Sequence, residues 1–282
     1  MKRKRIPEGI LDARTEMKEA AERRLPKTDF DFSRIAKSNE YWGTRSVIEW
    51  VFFDAGETLV SPRPSFGRAI EEICSNAGVV LETEDVDRVA DECLKSFLDF
   101  LALVDEDRCF SLSPDKSRRF WTRYYSLFLE KAGAPRARLD ELAHHIYDEF
   151  LKFERYAAFG DVLPTLERLS AAGLGIGVIS NWEPWLEDLL DHLRLGEFIS
   201  VKVISGREGI EKPNREMFER ALERAGVHAS RAVHVGDDPK ADAEPAAELG
   251  IEPVIIDRRS RHPEVTWKRI ESLKDLPRII GV

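Results

Sequence analysis

Val47-Ile-Glu-Trp-Val-Phe-Phe53 runs directly into Asp54-Ala-Gly-Glu-Thr58, and this junction decides how the rest of the chain is read. The first seven residues are almost all β-branched or aromatic, the composition of a short strand buried on both faces. The small and polar residues after Phe53 signal a sharp turn. Such a strand needs a covered sheet, yet no further strand is read between Phe66 and Arg155. Segments near 66–77, 84–104, 114–132 and 138–156 instead repeat apolar residues at i, i+3 and i+4, the period of amphipathic helices. Loops at Gly78, Ser113-Pro114 and Gly133 to Pro135 separate them. Four helices in succession predict a bundle inserted after the first strand.

Beyond this block the period changes. Leu174 to Ile179, Ser200 to Ile204, Ala232 to Val235 and Pro253 to Ile256 read as strands, with helices near 183–193, 214–225 and 240–249 between them. Alternation with short links predicts an α/β fold, a parallel sheet with helices on both faces. Ahead of the first strand, residues 7–25 read as an amphipathic helix ended by Pro26, and residues 27–46 as an irregular connector.

Of 282 residues, 34% are charged and 43% hydrophobic, which excludes global disorder. The net charge of -9 is unevenly spread: residues 1–46 carry +4 and the remainder -13. An acidic body argues against nucleic acid as a partner, and the basic head reads as a solvated terminus. The three cysteines, Cys74, Cys93 and Cys109, form no C-x-x-C pair, which argues against a disulfide framework and suggests a cytoplasmic setting. No apolar run is long enough to cross a membrane.

In open α/β sheets the reactive residues gather beyond the carboxyl ends of the strands. Asp54 follows the first strand and Ser180-Asn181 the second. Lys212, in Gly209-Ile-Glu-Lys-Pro213, follows the third; Gly236-Asp237-Asp238 follows the fourth, with Asp242 one turn on. Together they suit phosphoryl transfer. A carboxylate attacks phosphorus, Mg²⁺ on a few carboxylates neutralises the phosphate, and a hydroxyl and a lysine hold the remaining oxygens.

Taken in order, Asp54-x-x-x-Thr58-Leu59, Ser180-Asn181, Lys212-Pro213 and Gly236-Asp237-Asp238-x-x-x-Asp242 resemble the four motifs of the haloacid dehalogenase (HAD) superfamily over about 47–258. The resemblance implies a Rossmann-like core of residues 47–63 and 157–282, an all-helical cap of residues 64–156 and an N-terminal extension of residues 1–46. It implies Asp54 as nucleophile, Ser180 and Asn181 as phosphate ligands, and Lys212 as stabiliser of both Asp54 and the transferring group. Mg²⁺ would be held by Asp54, the carbonyl of Gly56 and Asp237, with Asp242 bound directly or through water. Thr58 and Asp238 would support the loops. A small phosphorylated metabolite is the expected substrate.

The chain departs from the family pattern at one position. Family phosphatases usually carry a second Asp two residues after the nucleophile, where this sequence has Gly56, and Glu57 stands where Gly is usual. A lost acid–base group costs about 10²- to 10⁴-fold in rate. The leading expectation is a phosphatase; the alternatives are a ligand-binding or regulatory member and a non-phosphatase reaction such as dehalogenation. Arg63, Arg68 and Trp182 are candidates for substrate contact, with Trp185 beside Trp182. Lys116, Arg118, Arg119 and Arg123 read as a solvated basic face, and His144 and His145 as structural or solvated.

Overall fold

The computed structural model describes residues 47–96 and 110–282; the helix and connector read within 1–46, the end of the segment read as helical to 104, and Cys109 lie outside them. β1 (Trp50–Phe53) leads to a short strand, β2 (Val60–Pro62), and among the described residues four helices follow: α1 (Phe66–Asn76), α2 (Val86–Lys95), α3 (Pro114–Lys131) and α4 (Leu139–Phe150). β3 (Tyr156–Ala158) returns antiparallel to β2. The remainder is α5 (Val162–Ala171), β4 (Gly175–Ser180), α6 (Leu186–His192), β5 (Val201–Ile204), α7 (Ser205–Glu208), α8 (Arg215–Ala225), β6 (Ala232–Gly236), α9 (Glu244–Leu249), β7 (Glu252–Ile256), β8 (Lys268–Ile270) and α10 (Leu276–Ile280).

The main sheet has the order β5-β4-β1-β6-β7-β8, with every pairing parallel. This is a Rossmann-like α/β arrangement with helices around the sheet. Both faces are covered, as the uninterrupted apolar strands require. Side chains alternate along β1: Phe52 joins Met217 and Phe218 of α8 on one face, while Val51 and Phe53 join Leu166 and Leu169 of α5 on the other. The second core continues into α1–α4. Gly175 and Gly177 lie in register with Trp50 and Phe52, and a Cβ at either position would sit 2.3 and 2.6 Å from those stacked rings.

The strand order places the site. From β1 the chain passes to β4 and β5 on one side, then crosses back to β6 and β7 on the other. The order therefore reverses at β1, and a crevice opens beyond the carboxyl ends at such a switch point. Six of the described elements are not legible in the sequence reading: β2, β3, α5, α7, β8 and α10. β2 and β3 have three residues each, too few for a period of two to show.

Candidate active site

Asp54 sits where β1 ends, its N–H donating to the Val235 carbonyl at 2.9 Å, and its side chain is buried. The next residues close a tight turn: Leu59 and Val60 both donate to the Ala55 carbonyl, and Glu57 donates to Val60. Glu57 adopts φ +52°, the left-handed region that favours Gly. Thr58 is fully buried, and its hydroxyl finds no partner among the described residues. Its carbonyl accepts from Arg258, whose guanidinium also grips both oxygens of Asp161 at 2.9 Å. Arg258 thus braces the first loop from the sheet side.

Ser180, the last residue of β4, donates its hydroxyl to Asp54 Oδ1 at 3.1 Å. The Asn181 side chain accepts from the Lys212 N–H at 2.7 Å and donates to its carbonyl at 2.9 Å, which pins the lysine backbone to the end of β4. Lys212 Nζ then reaches Asp54 Oδ1 at 2.7 Å and Asp242 Oδ1 at 2.6 Å. On the far side, His234 Nε2 donates to the same Asp242 oxygen at 3.0 Å, and the Asp238 N–H donates to Asp242 Oδ2 at 3.1 Å. Gly236 permits this fold-back, since a Cβ there would lie 2.2 Å from the Asp242 carboxyl carbon. Asp238 caps the π-helical turn Pro239–Ala243 by accepting from Lys240 and Ala241.

The electrostatics follow from this geometry. Burial alone would lower Lys212, but Asp242 and Asp54 hold it well above the usual lysine range. Burial alone would raise Asp242, but Lys212 and His234 hold it below the carboxylate range. Asp54 is raised by burial and by Asp242, with Lys212 opposing. Asp237 is pushed furthest up, by burial and by the charges of Asp54, Asp242 and Glu57. One ammonium therefore does not neutralise this group of carboxylates, and a cation beside Asp237 and Asp54 would. Among the described residues no three His, Cys, Asp or Glu side chains are grouped as metal ligands. A Mg²⁺ held by two carboxylates, a carbonyl and waters needs no such group.

The other candidates are placed as follows. Trp182 is half-buried and packs edge-to-face on Trp185 at 5.4 Å and on Tyr156 at 5.7 Å. A Cβ at Gly56 would lie 3.4 Å from the Trp182 ring. Glu57 turns to Arg259 at 3.2 Å; Arg259 and Arg261 both bind Asp91 of α2 at 3.0 and 2.9 Å. Arg63 donates to the Glu154 carbonyl, and Arg68 pairs with Glu71 and Asp87, so both serve the seam between α1 and its neighbours. Arg118 pairs with Asp148 and lies over the Tyr147 ring, and His144 bonds the Asp140 carbonyl on its own helix.

The sequence reading passed over His234, Glu183, Glu211 and the Arg258–Asp161 pair. Glu183 and Glu211 each lie within two residues of Asn181 or Lys212, and that adjacency was the available signal. The Ser117 and Tyr147 hydroxyls donate to Glu183 at 2.5 and 3.2 Å. Glu211 accepts from the N–H groups of Phe110 and Ser111 at 2.9 and 2.5 Å.

A parallel sheet brings an aspartate, a serine and a buried lysine together at its switch point, where α/β enzymes bind their ligands. The chain belongs to the haloacid dehalogenase-like hydrolases, whose family model matches residues 48–250. It is 31% identical over 238 residues to the haloacid dehalogenase-like hydrolase domain-containing protein 3 of Danio rerio, covering 83% of this chain and 96% of that protein. It is 32% identical over 150 residues to a phosphoserine phosphatase of Thermus thermophilus, covering 52% of this chain and 59% of the other. The structure of the HAD-hydrolase YfnB from Bacillus subtilis superposes with a TM-score of 0.63 at 15% identity, over 83% of this chain and 99% of that one, and shares the fold. Among the described residues no helix is long and apolar enough to cross a membrane.

Proposed function

We propose that this hydrolase is a Mg²⁺-dependent phosphatase that acts on a small phosphorylated metabolite through an aspartyl-phosphate at Asp54. The observation that carries the reading is the chain of contacts from His234 through Asp242 and Lys212 to Asp54, with Ser180 on the same Asp54 oxygen. It fixes a charged lysine and a hydroxyl beside a buried carboxylate, the arrangement that phosphoryl transfer requires. The Thermus relative named as a phosphoserine phosphatase supports the same chemistry.

In the first step an Asp54 oxygen forms a bond to phosphorus. The bond from phosphorus to the leaving oxygen breaks, and its electron pair departs with that oxygen. In the second step water attacks phosphorus, the bond to Asp54 breaks with its pair returning to the carboxylate, and the water proton passes to the released phosphate or to solvent. Ser180, the Asn181 N–H and Lys212 would hold the phosphoryl oxygens throughout. Asp54, Asp237 and the Gly56 carbonyl would hold Mg²⁺, which supplies the positive charge that lets an anion approach a phosphate. Asp242 Oδ1 accepts from Lys212 and His234 and Oδ2 from the Asp238 N–H, so Asp242 would orient Lys212 and meet the metal through Oδ2 or through water. Residues 64–156, which leave by β2 and return by β3, would form the cap that selects the substrate.

The test is release of phosphate from 4-nitrophenyl phosphate. We expect it to require Mg²⁺, to stop on chelation, and to fall by at least about 10³-fold in Asp54→Asn. Activity that survives Asp54→Asn would refute the assignment, and the same panel with no turnover would favour a ligand-binding role.

A further inference from the structure

We infer that the site strongly favours phosphate esters and anhydrides whose leaving group departs without being protonated, such as aryl, enol and acyl phosphates. The inference rests on the phosphatase reading and deepens it. Two residues after the nucleophile, where a donor would stand, Gly56 offers no side chain, and the Trp182 ring lies 3.4 Å from where its Cβ would be. Trp182 does not yield readily. Its N–H donates to the Ser205 hydroxyl at 2.9 Å, and its carbonyl accepts from that hydroxyl and from the Gly206 N–H. Trp185 and Tyr156 pack against its ring.

Among the described residues, Lys212, Tyr156 and Glu57 are committed elsewhere. Lys212 is held charged between two carboxylates. The Tyr156 hydroxyl, beside Trp182, donates to the Phe150 carbonyl at 3.0 Å. Glu57 pairs with Arg259. Glu57 and His262 line a small cavity with Asp237, Arg258 and Arg261, and neither Gly56 nor Trp182 contributes to its wall. When Asp54 attacks phosphorus, the electron pair of the breaking bond must therefore rest on the leaving oxygen until solvent protonates it. An acidic leaving group bears that charge; an alkoxide does not.

The experiment is a series of substituted phenyl phosphates of graded leaving-group pKa, extended to alkyl phosphates, with the full chain and Mg²⁺. We expect kcat/KM to fall steadily as the leaving-group pKa rises, and alkyl esters to trail 4-nitrophenyl phosphate by about 10²- to 10⁴-fold, the share that a positioned acid supplies. We expect Gly56→Asp, alone or with Trp182→Ala to make room, to flatten the dependence. The wild-type slope decides the matter even if those variants fail to fold. A flat series, with alkyl esters turned over as fast as aryl esters, would overturn the inference and leave the phosphatase reading intact. If that alkyl activity vanished in His262→Asn, His262 would be identified as the acid. No Asp54-dependent turnover of any ester would overturn both.

Discussion

The carboxyl edge of the sheet and the seam beneath α3 and α4 both bury core carboxylates, but they satisfy them differently. At the edge, Asp54 and Asp242 share one ammonium, that of Lys212, which itself is nearly fully buried. At the seam, Glu183 accepts two hydroxyls, from Ser117 of α3 and Tyr147 of α4, and makes no ion pair among the described residues. Glu211 accepts the N–H groups of Phe110 and Ser111 and the Ser111 hydroxyl, which also meets Ser205. Edge charges face a partner that also suits an incoming phosphate. Glu183 spends Oε1 on hydroxyl donors from the helical segment and so acts as adhesive. Glu183 and the edge carboxylates thus differ in partner, neutral hydroxyls against a buried ammonium, while the Arg258–Asp161 pair shows that a charged partner also serves cohesion.

Breaking the edge should cost most. Lys212→Met leaves two buried carboxylates without their cation, and we expect a loss of about 3–5 kcal/mol in urea unfolding together with loss of turnover. A variant that is inactive yet as stable as the parent would show that Asp54 and Asp242 take up protons to compensate. The Arg258–Asp161 pair is a second buried ion pair, remote from the reacting atoms, and Asp161→Asn should cost about 3 kcal/mol. Burial alone would raise the Asp161 carboxyl, but Arg258, the Ser272 hydroxyl and the Leu273 N–H hold it below its ordinary value. Its stabilising contribution is therefore fully present above about pH 4 and is lost as the pH falls through the lowered value. Melting temperature should drop more steeply below about pH 4 in the parent than in Asp161→Asn, and parallel curves would remove Asp161 from the account.

Seam variants should be milder. Glu183→Gln replaces a charged acceptor by an amide, and we expect a loss of about 2 kcal/mol with kcat changed by less than the edge variants change it. Ser117→Ala removes one of the two donors and should cost about 1 kcal/mol. A kcat collapse in Glu183→Gln without loss of stability would place the seam within the chemistry and erase the distinction.

The edge was legible because it sits at strand ends. Asp54, Ser180, Asp237 and Asp242 sit at or a turn beyond an apolar run that reads as a strand, Lys212 lies on the connection after β5 beyond α7, and strand ends in a parallel sheet converge. The strands β1, β4, β5, β6 and β7 were read within a few residues of their observed bounds because buried strands are continuous apolar runs. The seam was not legible, since Ser117, Tyr147 and Glu183 are far apart in the chain and no spacing rule joins them. Arg63 and Arg68 were read as candidates for substrate contact from their place after the first motif; the fold pairs them with the Glu154 carbonyl and with Glu71 and Asp87.

Sequence by itself determined the α/β alternation, the helical block between Asp54 and Ser180, and the order of the reactive residues, because strand and helix periods and the residues that end them are local properties. Only the tertiary structure decided how the oxygens of Asp242 are engaged, that Glu57 turns to Arg259 in a left-handed turn, and that Trp182 packs beside Gly56. Those outcomes depend on close packing between segments distant in the chain. A missing side chain leaves room at a position, and the fold alone determines what fills it.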